Sequence, residues 1–280
     1  MATLDNHNSK KAILLTGGSA GIGLATATML QEKGYKVYAC SRRGSGNVLQ
    51  SESGGEIIPV QLDVNDEKSL QEVVNRIVEE NGGLFAVICN AGNGLAGAVE
   101  DTSSDESRYQ LETNFFGAVK TIRTCLPQFR KQGSGKIIAI TSVAAVIPIP
   151  FQAFYSAGKS ALQIFVEALS MEVKPFGIQC STILPGDTKT EFTSARKYTE
   201  ASENENSAYF QRMKTGVDKM VKDEQNGMKP EVIAKAIVSQ VERKHMKSRV
   251  IPGFQYKAIC LLSSLLPNRL RLKIVNMVYS

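Results

Sequence analysis

Histidine, paired cysteine and long apolar runs are what this sequence has least of. Two histidines in 280 residues supply no cluster for a metal ion, so no metal site is expected. Five cysteines, an odd number without a Cys-x-x-Cys pair, argue against a disulfide framework and read as reduced residues, mostly of a core. The polar segment 1–9 has no apolar signal core; secretion is not expected and a cytoplasmic location is. The longest uncharged run near the C-terminus, Ala258 to Asn268, is about half of what a membrane-spanning helix requires. Basic residues do not alternate with aromatic ones, which argues against nucleic acid as a partner. What is present is 42% hydrophobic and 21% charged residues, enough for one doubly wound core. The net charge of +6 suits an anionic cofactor or substrate, although it is spread through the chain.

Apolar strand-length runs alternate with helical stripes. Strands are expected near 11–15, 35–40, 57–62, 84–89, 136–141 and 178–183, with helices near 21–33, 66–80, 106–131 and 153–174. That order implies a mostly parallel sheet with right-handed crossovers. Within 66–80, Leu70, Val73, Val74, Ile77 and Val78 form one apolar stripe while Glu67, Glu72, Arg76 and Glu80 face outward, the pattern of scaffold.

Chemistry concentrates where those strands end. After the first run, Thr16-Gly-Gly-Ser-Ala-Gly-Ile-Gly23 places glycines at 17, 21 and 23, where a backbone must turn and approach a pyrophosphate at a helix N-terminus. The second run ends in Ser41, Arg42 and Arg43, about where a ribose-reading residue is expected, and no carboxylate stands there. Arginines can clamp a 2′-phosphate, so NADP(H) is the expected cofactor. Further on, Asn90-Ala91-Gly92 follows the fourth run, and Ile137 to Ser142 ends in two hydroxyls. Thirteen residues beyond Ser142, Tyr155 and Lys159 stand four apart in a helical segment and share one face. The lysine is expected to lower the phenol's pKa and fit it for proton exchange with a carbonyl or an alcohol.

Taken together and in this order, Thr16-Gly-x-x-x-Gly-Ile-Gly23, Asp63, Asn90-Ala-Gly92, Asn114, Ser142, Tyr155-x-x-x-Lys159 and Pro185-Gly186 with Thr190 resemble the short-chain dehydrogenase/reductase family over roughly residues 10 to 255. The resemblance implies an α/β fold: a single-domain, Rossmann-like, doubly wound parallel sheet flanked by helices. It also implies NAD(P)-dependent redox chemistry at a carbinol carbon, and a homodimer or homotetramer. On that resemblance Tyr155 exchanges the proton, Lys159 holds the nicotinamide ribose, Ser142 polarises the substrate oxygen, and Asn114 sits in a helix bend and orders a proton-relay water. The cofactor set it implies is Gly17, Ser19, Gly21, Ile22, Gly23, Ser41, Arg42, Arg43, Asp63, Val64, Asn90, Ala91, Gly92, Tyr155, Lys159, Pro185, Gly186, Thr188 and Thr190. Within it Asp63 is expected at the adenine, Asn90 against a ribose and Arg42 at the phosphate. Cys89 is a departure, since many members carry a second asparagine there. The helices near 117–130 and 161–173 make the family's dimer interface or belong to the core.

Residues 188–228 turn polar and read as a helical lid, in which Tyr209, Phe210, Met213, Val217 and Met220 either line an apolar cleft or anchor the lid. The extension 256–280 mixes leucines with Lys257, Arg269, Arg271 and Lys273, and either packs beside the substrate entrance, crosses a subunit or lies on a membrane surface. An apolar small-molecule substrate follows, and the tail together with Pro185 to Phe192 is similar to hydroxysteroid and retinol dehydrogenases. A hydroxysteroid, with a bile acid as one candidate, is the expected substrate. The alternatives are a 3-oxoacyl thioester, retinol or another lipid alcohol, and a non-catalytic NADP(H) sensor or scaffold.

Overall fold

A computed structural model describes residues 11–279; the polar segment 1–9 lies outside the described residues. The strands are β1 (Ala12–Thr16), β2 (Lys36–Ser41), β3 (Leu49–Gln50), β4 (Glu56–Gln61), β5 (Ala86–Cys89), β6 (Leu95–Ala96), β7 (Gly135–Ile140), β8 (Ile178–Ile183), β9 (Lys197–Tyr198) and β10 (Arg249–Val250). Among the described residues the main sheet runs in the order β10-β8-β7-β5-β1-β2-β4-β3, parallel throughout except where the short β3 meets β4. The helices are α1 (Gly21–Glu32), α2 (Glu67–Asn81), α3 (Ser104–Leu111), α4 (Gly117–Gln132), α5 (Ala153–Val173), α6 (Phe210–Gln225), α7 (Pro230–Glu242), α8 (Phe254–Leu265) and α9 (Asn268–Tyr279).

Strands buried on both faces need apolar residues at successive positions, and β1 supplies Ala-Ile-Leu-Leu, all buried. Their alternation divides the core. Leu14, Tyr38, Val87 and Ile137 face α2, α4 and α5 through Leu70, Ile122 and Leu162, whereas Ile13, Leu15, Ile88 and Ile138 face α1 and α7 through Leu30, Ile233 and Ile237. Four of the five cysteines, Cys40, Cys89, Cys125 and Cys180, are buried and unbridged, as expected of core residues.

The sequence is read above as one helix over 106–131, but the chain makes two. Between α3 and α4 a π-turn, Glu112–Phe116, inserts the extra backbone unit that re-aims the helix. Helix α7, which the strand-and-helix reading omits, completes the second helical layer with Ile233, Ala234, Ile237, Val238 and Val241 turned to the sheet. In the polar stretch, Met213 and Val217 of α6 pack with Ala96 and Phe151, and Met220 is buried too, so these residues anchor the helix to the body. Tyr209 is not in that core; its hydroxyl donates to Glu100 at 2.7 Å.

The strand order reverses between β1 and β5: the chain steps outward through β2 and β4, then crosses back to β5, β7 and β8. At such a switch point the loops leaving the carboxyl ends of two neighbouring strands part and open a crevice. The glycine turn after β1 and Asn90 to Gly92 after β5 border it.

Candidate active site

The two loops at the crevice are tied together by short hydrogen bonds. Thr16 Oγ accepts from the backbone N–H groups of Asn90 and Ala91 at 3.0 and 3.1 Å. The Asn90 side-chain amide donates to the carbonyls of Thr16 and Gly17 at 3.2 and 3.0 Å. Asn90 therefore acts as the brace of the glycine turn. Gly17 adopts φ +66°, and a β-carbon there would stand 2.9 Å from both Ala91 Cα and Asn90 Nδ2; one on Gly23 would stand 2.0 Å from the Gly17 carbonyl oxygen. Gly21, at φ +51°, faces Thr190 closely enough that a β-carbon would lie 3.2 Å from its Cβ. Ala20 precedes α1 without a capping side chain. The free N–H groups of the helix start are thus left for an anion, and the absent β-carbons leave the room a pyrophosphate needs. The cradle fits a dinucleotide.

The flanks of the crevice hold the remaining cofactor candidates. Ser41 Oγ accepts from Gly44 N–H at 3.1 Å, and Gln61 Nε2 donates to the Arg42 carbonyl at 3.3 Å. The backbone after β2 is thereby fixed while the Arg42 and Arg43 side chains stay exposed. Ser19 is exposed on the glycine turn. Asp63 caps its own turn by accepting from Asn65 N–H at 2.9 Å, and Val64 is buried against Gly117 at the start of α4. On the far side Pro185 accepts from Val143 N–H at 2.9 Å, and Thr188 Oγ donates to the Gly186 carbonyl at 2.8 Å.

The π-turn delivers Asn114, which is 1% exposed, into the floor of the crevice. Its Nδ2 donates to Asn93 O at 2.9 Å, Asn93 Oδ1 at 2.8 Å and Gln110 O at 3.1 Å, and its Oδ1 accepts from Asn93 N–H at 3.2 Å. A β-carbon on Gly92 would fall 2.7 Å from that Oδ1 and 3.6 Å from Lys159 Nζ, so only glycine keeps this gap open between them.

Ser142 Oγ accepts from Ala144 N–H at 3.0 Å and lies near enough to the Tyr155 phenol to act on its pKa. Lys159 Nζ lies 5.7 Å from the centre of the Tyr155 ring and donates to the Ile140 carbonyl at 3.0 Å. The expectation that Lys159 lowers the phenol is corrected here. Burial pushes Tyr155 up to about 12; the nearby Ser142 hydroxyl pulls it back, Glu224 adds to the rise and Arg196 opposes it. Burial likewise pushes Lys159 down to about 8. Spacing brought the two groups together, but loss of water outweighs their mutual field. A phenol so held stays protonated at neutral pH, the state a proton donor requires.

The Lys159 shift has a stability consequence. Below pH 8 the buried ammonium is charged in both folded and unfolded chains and costs about 3 kcal/mol; between 8 and 10.5 the unfolded chain binds more protons, so stability rises with pH. Lys159→Met is expected to be more stable than the parent by about 2 kcal/mol at pH 7, with the gap closing by pH 10. Urea unfolding at both values checks it, and a gap independent of pH would contradict it.

The sequence reading missed a second layer around the phenol. The Phe192 ring lies 5.8 Å from that of Tyr155, and the Arg196 guanidinium stands 5.9 Å over Phe192. The Arg196 side chain is fully buried and paired with Glu224, and its Nε donates to the Gln152 amide oxygen at 2.9 Å once that amide is oriented to satisfy both groups. Glu224 also accepts from Thr193 Oγ at 2.7 Å. Gln152 follows Phe151, a non-glycine residue at φ +59° whose carbonyl accepts from Gly97 N–H at 2.9 Å. Close by, the Tyr256 hydroxyl donates to Asp187 at 3.0 Å, and burial raises the pKa of Tyr279, at the end of α9, with Asp187 adding to the rise. Arg196 stood in a charged stretch that reads as solvated lid; no local signal marks it as buried.

A glycine-lined dinucleotide cradle beside a Ser-Tyr-Lys set on a doubly wound sheet defines an oxidoreductase, and the chain belongs to the short-chain dehydrogenase family, whose model matches residues 11–201. It is 39% identical over 241 residues to the 3-ketodihydrosphingosine reductase of Bacteroides thetaiotaomicron, spanning 86% of this chain and 87% of that one. It is 33% identical over 194 residues to human 17-beta-hydroxysteroid dehydrogenase type 1, spanning 66% of this chain and 58% of that one. Among solved structures, a short-chain dehydrogenase from Streptomyces avermitilis superimposes with a TM-score of 0.78 at 27% identity, covering 95% of each chain.

Proposed function

We propose that this oxidoreductase uses NADPH to reduce the ketone of a long-chain 2-amino-3-ketolipid, 3-ketodihydrosphingosine being the substrate that fits best. The observation that carries the reading is Asp187, a half-buried carboxylate at the crevice held by the Tyr256 hydroxyl. Among the described residues it has no ion-pair partner, and Asp223 and Glu224 add negative field while burial raises its pKa. Such a carboxylate suits an ammonium next to the reacting ketone. The relative of greatest identity given above bears that activity in its name.

The nicotinamide supplies a hydride to the carbonyl carbon when the cofactor is bound. Tyr155 gives its proton to the carbonyl oxygen, Ser142 shares that oxygen's hydrogen bonding, and Lys159 lies behind the phenol to restore the proton. Gly17, Gly21, Gly23 and Thr190 would border the cofactor's pyrophosphate, with Asn90 bracing the glycine turn against a ribose, Asp63 and Val64 toward the adenine, and Arg42 and Arg43 at the 2′-phosphate. Each charge-assisted contact to that phosphate contributes about 1.5–3 kcal/mol. NADPH is therefore expected to bind roughly ten- to a hundred-fold tighter than NADH, and Arg42→Ala to erase most of the difference. Equal affinities of the unmodified protein for both cofactors, measured by fluorescence titration, would contradict this.

The substrate test compares kcat/KM for 3-ketodihydrosphingosine with that for the same chain lacking the amine. The amino ketone is expected to lead by about ten-fold, and Asp187→Asn to abolish the lead while leaving the plain ketone unaffected. A lead that survives Asp187→Asn would defeat the reading. A second reading, a hydroxysteroid, is favoured by the human relative and by the apolar C-terminal helices. Steroids with 3-, 7-, 12- and 17-hydroxyls, bile acids included, belong in the same assay with NADP+, and turnover confined to them would select it.

A further inference from the structure

We infer that α8 and α9 form a seat for the surface of an anionic phospholipid bilayer. Each helix carries an outward apolar stripe at helical spacing: Phe254, Leu261 and Leu265 on α8, and Leu270, Ile274 and Met277 on α9. All six are exposed, Leu265 at 72% and Met277 at 67%, whereas Ile233 and Ile237 of α7, which face the sheet, are fully covered. The opposite side of each helix is the attached one. Tyr256 is buried beneath α8, and a β-carbon on Gly216 of α6 would come within 3.0 Å of the Tyr279 carbonyl at the end of α9. Arg212 of α6 donates to Asn276 of α9 at 3.3 Å.

The charge on this face selects the occupant. From Phe254 to Ser280 there is no aspartate or glutamate, while Lys257, Arg269 and Lys273 are exposed beside the stripes. A second copy of the same face would oppose cation to cation; an anionic lipid surface satisfies both the cations and the leucines. Neither helix is long and apolar enough to cross a membrane, so the helices lie in the interface. Because α9 ends against Gly216 of α6, which also faces Phe151 next to Gln152, the seat adjoins the mouth of the crevice. It does not depend on which lipid is reduced there.

The full chain is centrifuged with vesicles of phosphatidylcholine alone and of phosphatidylcholine mixed with phosphatidylglycerol. Pelleting is expected with the mixed vesicles only and is expected to fall at high salt. Lys257→Gln/Arg269→Gln/Lys273→Gln should weaken binding by roughly a hundred-fold, at about five-fold per cation, and Leu261→Gln/Leu265→Gln/Met277→Gln should abolish it, with both variants melting as the parent does. No pelleting of the parent chain, equal pelleting on uncharged vesicles, or an apolar-variant defect that is loss of a dimer in sedimentation with vesicle binding intact would each overturn the inference.

Discussion

Tyr155→Phe is expected to lower kcat by about 100-fold or more while leaving NADPH affinity within about two-fold of the parent. The ring remains to pack against Phe192, so the change removes the phenol's hydroxyl and its proton and little else. Retention of more than about a tenth of kcat would mean that another group delivers the proton. The high phenol pKa adds a second expectation. Ketone reduction should persist well above neutral pH, since the donor is lost only as pH nears 12, and alcohol oxidation should gain with rising pH over the same range.

Glu224→Ala is expected to cost about 3–5 kcal/mol of stability, the penalty of leaving a buried guanidinium without its carboxylate. Arg196 has no exposed surface on its side chain, and its Nη1 already lacks a hydrogen-bond partner, so nothing nearby takes over the charge. For a chain of this size the loss corresponds to roughly 6–15 °C in Tm. The same change removes a carboxylate that raises the Tyr155 pKa and frees a cation that lowers it, so the phenol's pKa should fall. Replacing both partners, Arg196→Met with Glu224→Leu, should recover much of the stability. Thermal unfolding of the two variants checks this, and a Glu224→Ala protein as stable as the parent would contradict it.

The parts of the fold legible in the sequence are those set by local pattern. Successive apolar residues such as Ala12 to Leu15 can only be a strand buried on both faces, and glycines at 17, 21 and 23 mark a turn that side chains would block. Tyr155 and Lys159 meet because four residues make one helical turn. What escaped depends on tertiary context. A π-turn adds a single backbone unit and leaves the 3.6-residue stripe on either side intact, so the break around Asn114 is invisible to periodicity and is expected only from the family resemblance. Arg196 and Glu224 stand 28 residues apart in a charged segment, and only the docking of α6 makes them a buried pair beside the phenol. Spacing also gave the wrong sign for the phenol, because it reports proximity to Lys159 and not the loss of water around both groups. Helix α7 was within reach: Pro230 opens it and Ile233, Ile237 and Val241 repeat every four residues.

The most direct test of the central claim, hydride transfer to a ketone carbon with the proton from Tyr155, is the fate of a label. NADPH deuterated on the transferring face of nicotinamide carbon 4 is incubated with the protein and 3-ketodihydrosphingosine in ordinary water, and the product is analysed by mass spectrometry and NMR. A single deuterium on the new carbinol carbon, with none in the water, is the predicted result. Product carrying no deuterium, or label found in solvent while the ketone is consumed, would contradict it.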